Sequence, residues 1–245
     1  PRVFKPLPRG ALPGAPPFCI EPDPDDRRDY IAGERFGFGL KLFSYALEYL
    51  PFFVQAIRAA GEKGMGRFDP PGKFALDKVE CEGESLYDAE NDNLTIPAPR
   101  VLWPLPAVAE KFGDKIAIRL ATPLRHKSEN RFSAKLEFVD LFHLVLRRLR
   151  ALALLDGEDF RLERDLYERL REKAFAIRAM KDDLSWRDWT RYSSRQDAAM
   201  RFGGLMGSVE YEGDLAPFAN FLRFAEIAHL GKQTSFGLGR LELIY

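Results

Sequence analysis

Cysteine is scarce: only Cys19 and Cys81 occur, far apart, and they form neither a CxxC pair nor a disulfide framework. That usage fits a reducing cytoplasm. Histidine is nearly as rare, and His126, His143 and His229 lack any zinc-ligand spacing with each other or with the cysteines. No apolar run reaches the length of a membrane span and no signal peptide is visible, so a membrane partner is not expected. Two phosphate-binding signatures are missing. Gly231-Lys232 is followed by Gln233 and preceded by Glu226 where a P-loop needs glycine, and Gly37-Phe38-Gly39 has no third glycine. Nucleotide-cofactor folds are therefore disfavoured, and neither cofactor nor metal is expected. A surplus of charge is missing too, since 37 Lys and Arg balance 37 Asp and Glu.

What is present is ordinary globular composition, 46% hydrophobic and 30% charged over 245 residues, enough for one large or two small domains. The charge is unevenly spread. Residues 80–93 carry Glu80, Glu82, Glu84, Asp88, Glu90 and Asp92 with no basic residue, and the first three alternate as on a solvated strand face. Residues 115–150 carry nine Lys and Arg against Glu129, Glu137 and Asp140, and Arg187, Arg191, Arg195 and Arg201 form a second basic group. Local basic faces on a neutral chain can bind a polyanion through counterion release. Solvated helix and strand faces are the commoner meaning of such runs.

Patterning predicts strands at Phe18–Glu21, Arg35–Phe43 and Lys73–Cys81, with a helix over Leu47–Ile57 that Gly61 ends. The acidic stretch and Pro97–Pro106 mark a boundary, dividing the chain into 1–106 and 107–245. Beyond it come a strand at Lys115–Thr122 and helices over Ala134–Leu155 and Leu162–Met180. Strands at Trp189–Ser194 and Gly204–Tyr211, a helix opened by Pro217 and a strand at Arg240–Tyr245 complete the chain. With the Leu162 helix set aside as an insertion, the second half reads strand-helix-strand-strand-helix-strand, the ferredoxin-like order. The first half matches that order without its opening strand and helix. The fold class expected is α+β, with tandem ferredoxin-like domains. The start at Pro1 fits a processed chain or a piece of a longer one.

The segment His229-Leu-Gly-Lys-Gln-Thr-Ser-Phe-Gly-Leu-Gly-Arg240 carries the chemistry. Glycines 231, 237 and 239 let backbone amides approach a ligand, while Lys232, Thr234, Ser235 and Arg240 add donors. Such a loop suits a phosphodiester backbone and equally suits a plain structural turn. Arg195-Gln196, Gly203-Gly204, Gly207 and the run Gly231–Gly239 resemble the C-terminal signature of the CRISPR repeat-processing endoribonucleases of the RAMP superfamily. Ala121–Arg125 with Arg147-Arg148-Leu149 is similar to the family's mid-chain pattern, and Gly61–Gly66 to its first-half turn.

The resemblance implies binding of CRISPR repeat RNA and metal-independent cleavage. In that reaction a 2′-hydroxyl attacks the adjacent phosphate, leaving a 2′,3′-cyclic phosphate and a 5′-hydroxyl. The alternative is a non-catalytic RNA-binding module of a CRISPR complex, or a domain joined to other CRISPR machinery such as a reverse transcriptase and integrase. Many family members carry their catalytic histidine in or near a first helix for which this chain has no counterpart. His126, flanked by Arg125 and Lys127, is the remaining candidate base, the alternatives being a catalytic histidine upstream of Pro1 and, for His126 itself, a plain surface-loop histidine. RNA contact is expected from Arg125, Lys127, Arg195, Gly231, Lys232, Thr234, Ser235, Gly237 and Gly239. His229 reads either as an RNA contact or as a helix-end histidine facing the dipole, and His143 as structural. Trp189 and Tyr192 read as base-stacking platforms or as core.

Overall fold

The computed structural model describes residues 15–23, 29–65, 70–100, 103, 113–128, 131–132, 135–188, 190–193 and 198–245. They divide into two compact units. One is Leu42–Arg100, and the other gathers the described residues before Leu42 and after Arg100. The first strands of the chain group with the C-terminal unit and not with Leu42–Arg100.

In that unit β1 (Phe18–Pro22) and β2 (Phe38–Leu42) form a two-stranded sheet. The Leu42–Arg100 unit opens with a 3₁₀ helix (Ser44–Tyr49) and continues into α1 (Leu50–Lys63), with Pro51 in its first turn where no donor is lost. Gly61 lies inside α1, and the helix ends at Gly64. β3 (Lys78–Cys81), β4 (Glu84–Asp88) and β5 (Asn93–Leu94) form an antiparallel sheet that buries Leu86 against Leu50 and Val54. The acidic run is therefore no single strand face. It folds into a hairpin whose tip is Glu82-Gly83, because Leu86 and Tyr87 are apolar enough to be drawn inward.

In the other unit, β6 (Lys115–Leu124) buries Ile116, Ile118 and Leu120 on alternate positions, as its sequence pattern requires. A short pair, β7 (Lys127–Ser128) and β8 (Arg131–Phe132), follows. Next comes α2 (Phe138–Ala153), which buries Phe138, Leu141, Phe142, Val145 and Leu149 as one stripe. After α3 (Arg164–Ala176) come β9 (Arg178–Asp182) and β10 (Ser185–Arg187). Then β11 (Thr190–Ser193) and β12 (Ala198–Arg201) make a separate hairpin. β13 (Gly204–Glu212), α4 (Ala219–Ala228) and β14 (Leu241–Ile244) complete the unit.

Its main sheet is antiparallel, in the order β10-β13-β6-β14 with β9 also on β13. Reading β9 and β10 as one interrupted strand gives the ferredoxin-like arrangement. The second ferredoxin strand is thus Arg178–Arg187 and not the expected Trp189–Ser194. Every residue of β9 is exposed, so the alternation that identifies a half-buried strand is missing there. The core is aromatic: Phe138 packs edge-on against Tyr211 and Phe218, and Phe142 against Phe218 and Phe221. The buried Tyr211 hydroxyl donates to the Leu136 carbonyl at 2.6 Å, and burial raises its pKa far above the ordinary tyrosine value.

Candidate nucleic-acid interface

The glycine-rich turn between α4 and β14 is built from both ends of its unit. The Leu230 amide donates to the Gly239 carbonyl (2.9 Å), and the Gly239 amide to the Pro123 carbonyl at the end of β6 (3.0 Å). The Lys232 amide donates to the Arg125 carbonyl (3.1 Å), and the Gly237 amide to Thr234 (2.9 Å). Thr122 locks the exit: its hydroxyl donates to the Gly237 carbonyl (2.7 Å) and accepts from the Arg240 amide (2.9 Å). Gly239 has φ +77°, and any Cβ there would overlap the Leu230 carbonyl; at Gly237, φ +83°, it would overlap the Ile20 carbonyl of β1.

These glycines therefore serve close packing of the turn on its neighbours. The amides of Lys232, Phe236, Gly237 and Gly239 are already engaged, and Thr234, Gly237 and Gly239 are buried. What the turn offers outward is Lys232, part of Ser235, and Phe236, which is 48% exposed. Phe236 was quoted in the sequence only as part of a motif. Its signal is an aromatic residue between small residues in a turn, with no apolar stripe to claim it. Its ring meets Phe202 edge-on at 5.4 Å, which fixes the plane it presents.

Beneath the turn lies a polar network reaching to β1. His229 is fully buried at φ +58°, donates from Nε2 to Glu21 Oε1 (2.8 Å), and has Nδ1 3.3 Å from the Leu238 carbonyl. His229 caps the C-terminal end of α4, where the helix-end alternative put it, but it is fully buried and its ring is taken by a carboxylate 208 residues away. Lys41 Nζ is 2.7 Å from the same Glu21 oxygen. Burial would raise the Glu21 carboxyl, but hydrogen bonds from His229 and Lys41, with the Lys41 charge, outweigh it and lower the pKa to about 2. Alongside, buried Arg148 donates from Nε to the Ala228 carbonyl (2.9 Å) and from Nη2 to Cys19 Sγ (3.4 Å). Cys19 is fully buried, and burial pushes its thiol pKa up, which disfavours the thiolate.

His126 follows Arg125, the carbonyl partner of Lys232. It is 2% exposed, and because Lys135 offers only a carbonyl, Nε2 must be the protonated nitrogen, donating at 3.1 Å. Desolvation lowers its pKa, partly offset by that bond and by Asp140. The expected surface-loop setting is therefore replaced by a buried, neutral imidazole at the edge of a cleft that also includes His143. Lys127 lies in β7, its side chain outside the described residues. Arg195 and Trp189 lie outside them entirely, as does the side chain of Tyr192.

The family model described as CRISPR-associated endoribonuclease Cas6 matches residues 118–241, just over half of the chain. A second, described only as an N-terminal domain, matches residues 2–99. No curated protein matches. Among solved structures, Thermus thermophilus Cas6 in a product complex is 16% identical, over 93% of this chain and 82% of that one, with TM-score 0.56. A second Thermus Cas6, also in a product complex, is 18% identical, over 95% and 84%, with TM-score 0.51. A partial Cas6-RT-Cas1–Cas2 complex matches at 18% identity and TM-score 0.38; the chain spans 56% of its own length there and 23% of that chain. One match to the first Thermus protein likewise spans only 53% of it. The architecture is α+β and matches Cas6 structures with tandem ferredoxin-like folds.

Proposed function

The chain belongs to the CRISPR-associated endoribonuclease Cas6 family, and from that premise we propose that it binds CRISPR repeat RNA and cleaves the precursor transcript without a metal ion, in the cytoplasm. The observation carrying the binding half is the turn itself. Its interior is fixed by hydrogen bonds, and its outward side combines a cation, a hydroxyl and an aromatic ring in Lys232, Ser235 and Phe236. A phosphate pairs with the lysine while an unpaired base stacks on the ring, the combination single-stranded RNA favours. Arg125, whose carbonyl accepts from the Lys232 amide, adjoins the turn, and Lys127 and Arg195 are proposed as further RNA contacts on their sequence alone.

For the chemistry, a base removes the 2′-hydroxyl proton and that oxygen attacks the phosphorus. The 5′-oxygen then leaves with a proton from an acid. His126 is the proposed base: with Nε2–H held by Lys135, Nδ1 carries the lone pair. A depressed pKa keeps it unprotonated at neutral pH, so the acid limb of the rate profile falls below the ordinary histidine value. The burial of His126 also favours a second reading, in which the chain binds repeat RNA without cutting it, as a subunit or as a domain joined to other CRISPR proteins. Incubating the chain with labelled repeat RNA in EDTA separates the two. Cleavage to a 2′,3′-cyclic end is expected, slowed about 10²-fold or more in His126→Gln with binding retained. Intact RNA that stays bound would establish the second reading.

A further inference from the structure

Away from the glycine-rich turn, a cleft of about 590 Å³ lies between α2 and α3. Its α2 wall is Asp140, His143, Arg147 and Arg150, spaced three, four and three residues apart and so on one helical face. That face is turned away from the apolar stripe that α2 lays on the sheet. The opposite wall is Tyr167 of α3 with Phe160, Arg161 and Leu162 of the preceding loop. Phe160 is held by Trp103, which also packs on Phe221.

Three features specify what would fit. First, with His143 Nε2 unprotonated, the Tyr167 hydroxyl donates to it at 3.2 Å, and the two rings lie 6.3 Å apart at only 31°, a joint aromatic wall. Second, the cleft is cationic where it opens. Arg150 and Arg161 share the Asp159 carboxylate, whereas exposed Arg147 has no ion-pair partner among the described residues. Third, Asp140 supplies a carboxylate acceptor on the same wall. No three His, Cys, Asp or Glu side chains gather to hold a metal among the described residues, so the occupant is sought among organic anions.

We propose that the α2–α3 cleft binds a single nucleotide, its base against the Tyr167–His143 wall, its phosphate on Arg147 and a ribose hydroxyl or base amine on Asp140. A cavity of this size suits a small ligand, and π-face stacking with one guanidinium–phosphate pair is the usual chemistry of nucleotide recognition. The proposal does not depend on RNA cleavage, because a free nucleotide tests it directly.

AMP, CMP, GMP and UMP are titrated into the full chain and followed by saturation-transfer NMR. Wild type is compared with Arg147→Glu, Tyr167→Ala and Lys232→Ala, with circular dichroism as the folding check. In parallel, repeat RNA containing 4-thiouridine is photocrosslinked and the attached peptides are sequenced. At least one mononucleotide binds saturably, with affinity falling tenfold or more in Arg147→Glu and in Tyr167→Ala and unchanged in Lys232→Ala. With no crosslink on α2 or α3, that result assigns the site to a free nucleotide. A crosslink at Tyr167 that the mononucleotide competes away assigns it to a nucleotide of the RNA chain. Saturable binding indifferent to Arg147→Glu, or neither mononucleotide binding nor a crosslink, overturns the proposal.

Discussion

Glu21→Gln isolates the buried charge that ties β1 to the glycine-rich turn. The glutamine is nearly isosteric and keeps an acceptor for His229, so shape and one hydrogen bond survive while the carboxylate charge is lost. In the folded protein the Glu21 pKa stands at about 2 against an ordinary 4.5. Linkage converts that difference into at most about 3 kcal/mol of stability. The side chain keeps 16% of its surface in solvent and its partner Lys41 keeps 29%, so screening reduces the working expectation to roughly 1–2 kcal/mol. The sign follows from the lowered pKa: the contribution is complete above about 4.5 and disappears as pH falls toward 2. Urea denaturation of both proteins at pH 7, 4 and 3 measures it. The variant should be less stable at pH 7, by a margin that narrows at each step down. A margin independent of pH would refute the electrostatic account and leave only packing.

Gly239→Ala should cost about 2 kcal/mol or more, because a left-handed backbone and an overlap with the Leu230 carbonyl coincide; thermal unfolding within a degree of wild type would show that the turn relaxes freely. Lys232→Ala should leave the fold intact and lower the slope of log affinity against log salt by about 0.7 for single-stranded RNA, and an unchanged slope removes it from the phosphate path. Phe236→Ala should weaken RNA binding by about 1–3 kcal/mol with little change in that slope, since stacking releases no counterion; an altered slope with unaltered affinity would contradict a stacking role.

Legibility in the sequence followed the range of the interactions. β6 was readable because Ile116, Ile118 and Leu120 alternate, and α2 because Leu136, Val139, Phe142, Leu146 and Leu149 recur at helical spacing, although Val139 and Leu146 are only half-buried and Leu141 and Val145 are buried in their stead. β9 was not, since the strand is exposed throughout and is defined by hydrogen bonds to β13 alone. The turn was recognisable, and of the two readings open for its glycines the packing fits the structural one. The atoms that would clash belong to Ile20, Arg125 and Leu230, of which only the last is near in sequence. His229 and Glu21 could not have been paired from spacing, with the rest of the chain lying between them. His126 looked exposed because cations flank it, but a loop that hydrogen-bonds back to Lys135 folds its ring inward.

The placement of β1 carries a consequence for dissection of the molecule. A fragment beginning after residue 100 retains all the strands of the large sheet and both helices beneath it. It would nevertheless leave the ring of His229 without its acceptor, Arg148 without the sulfur it donates to, and Gly237 facing water where Ile20 stood. Such a truncation should keep its secondary structure while losing definition at the glycine-rich turn. Loss of affinity in it would then report an unmoored scaffold and not a missing contact surface.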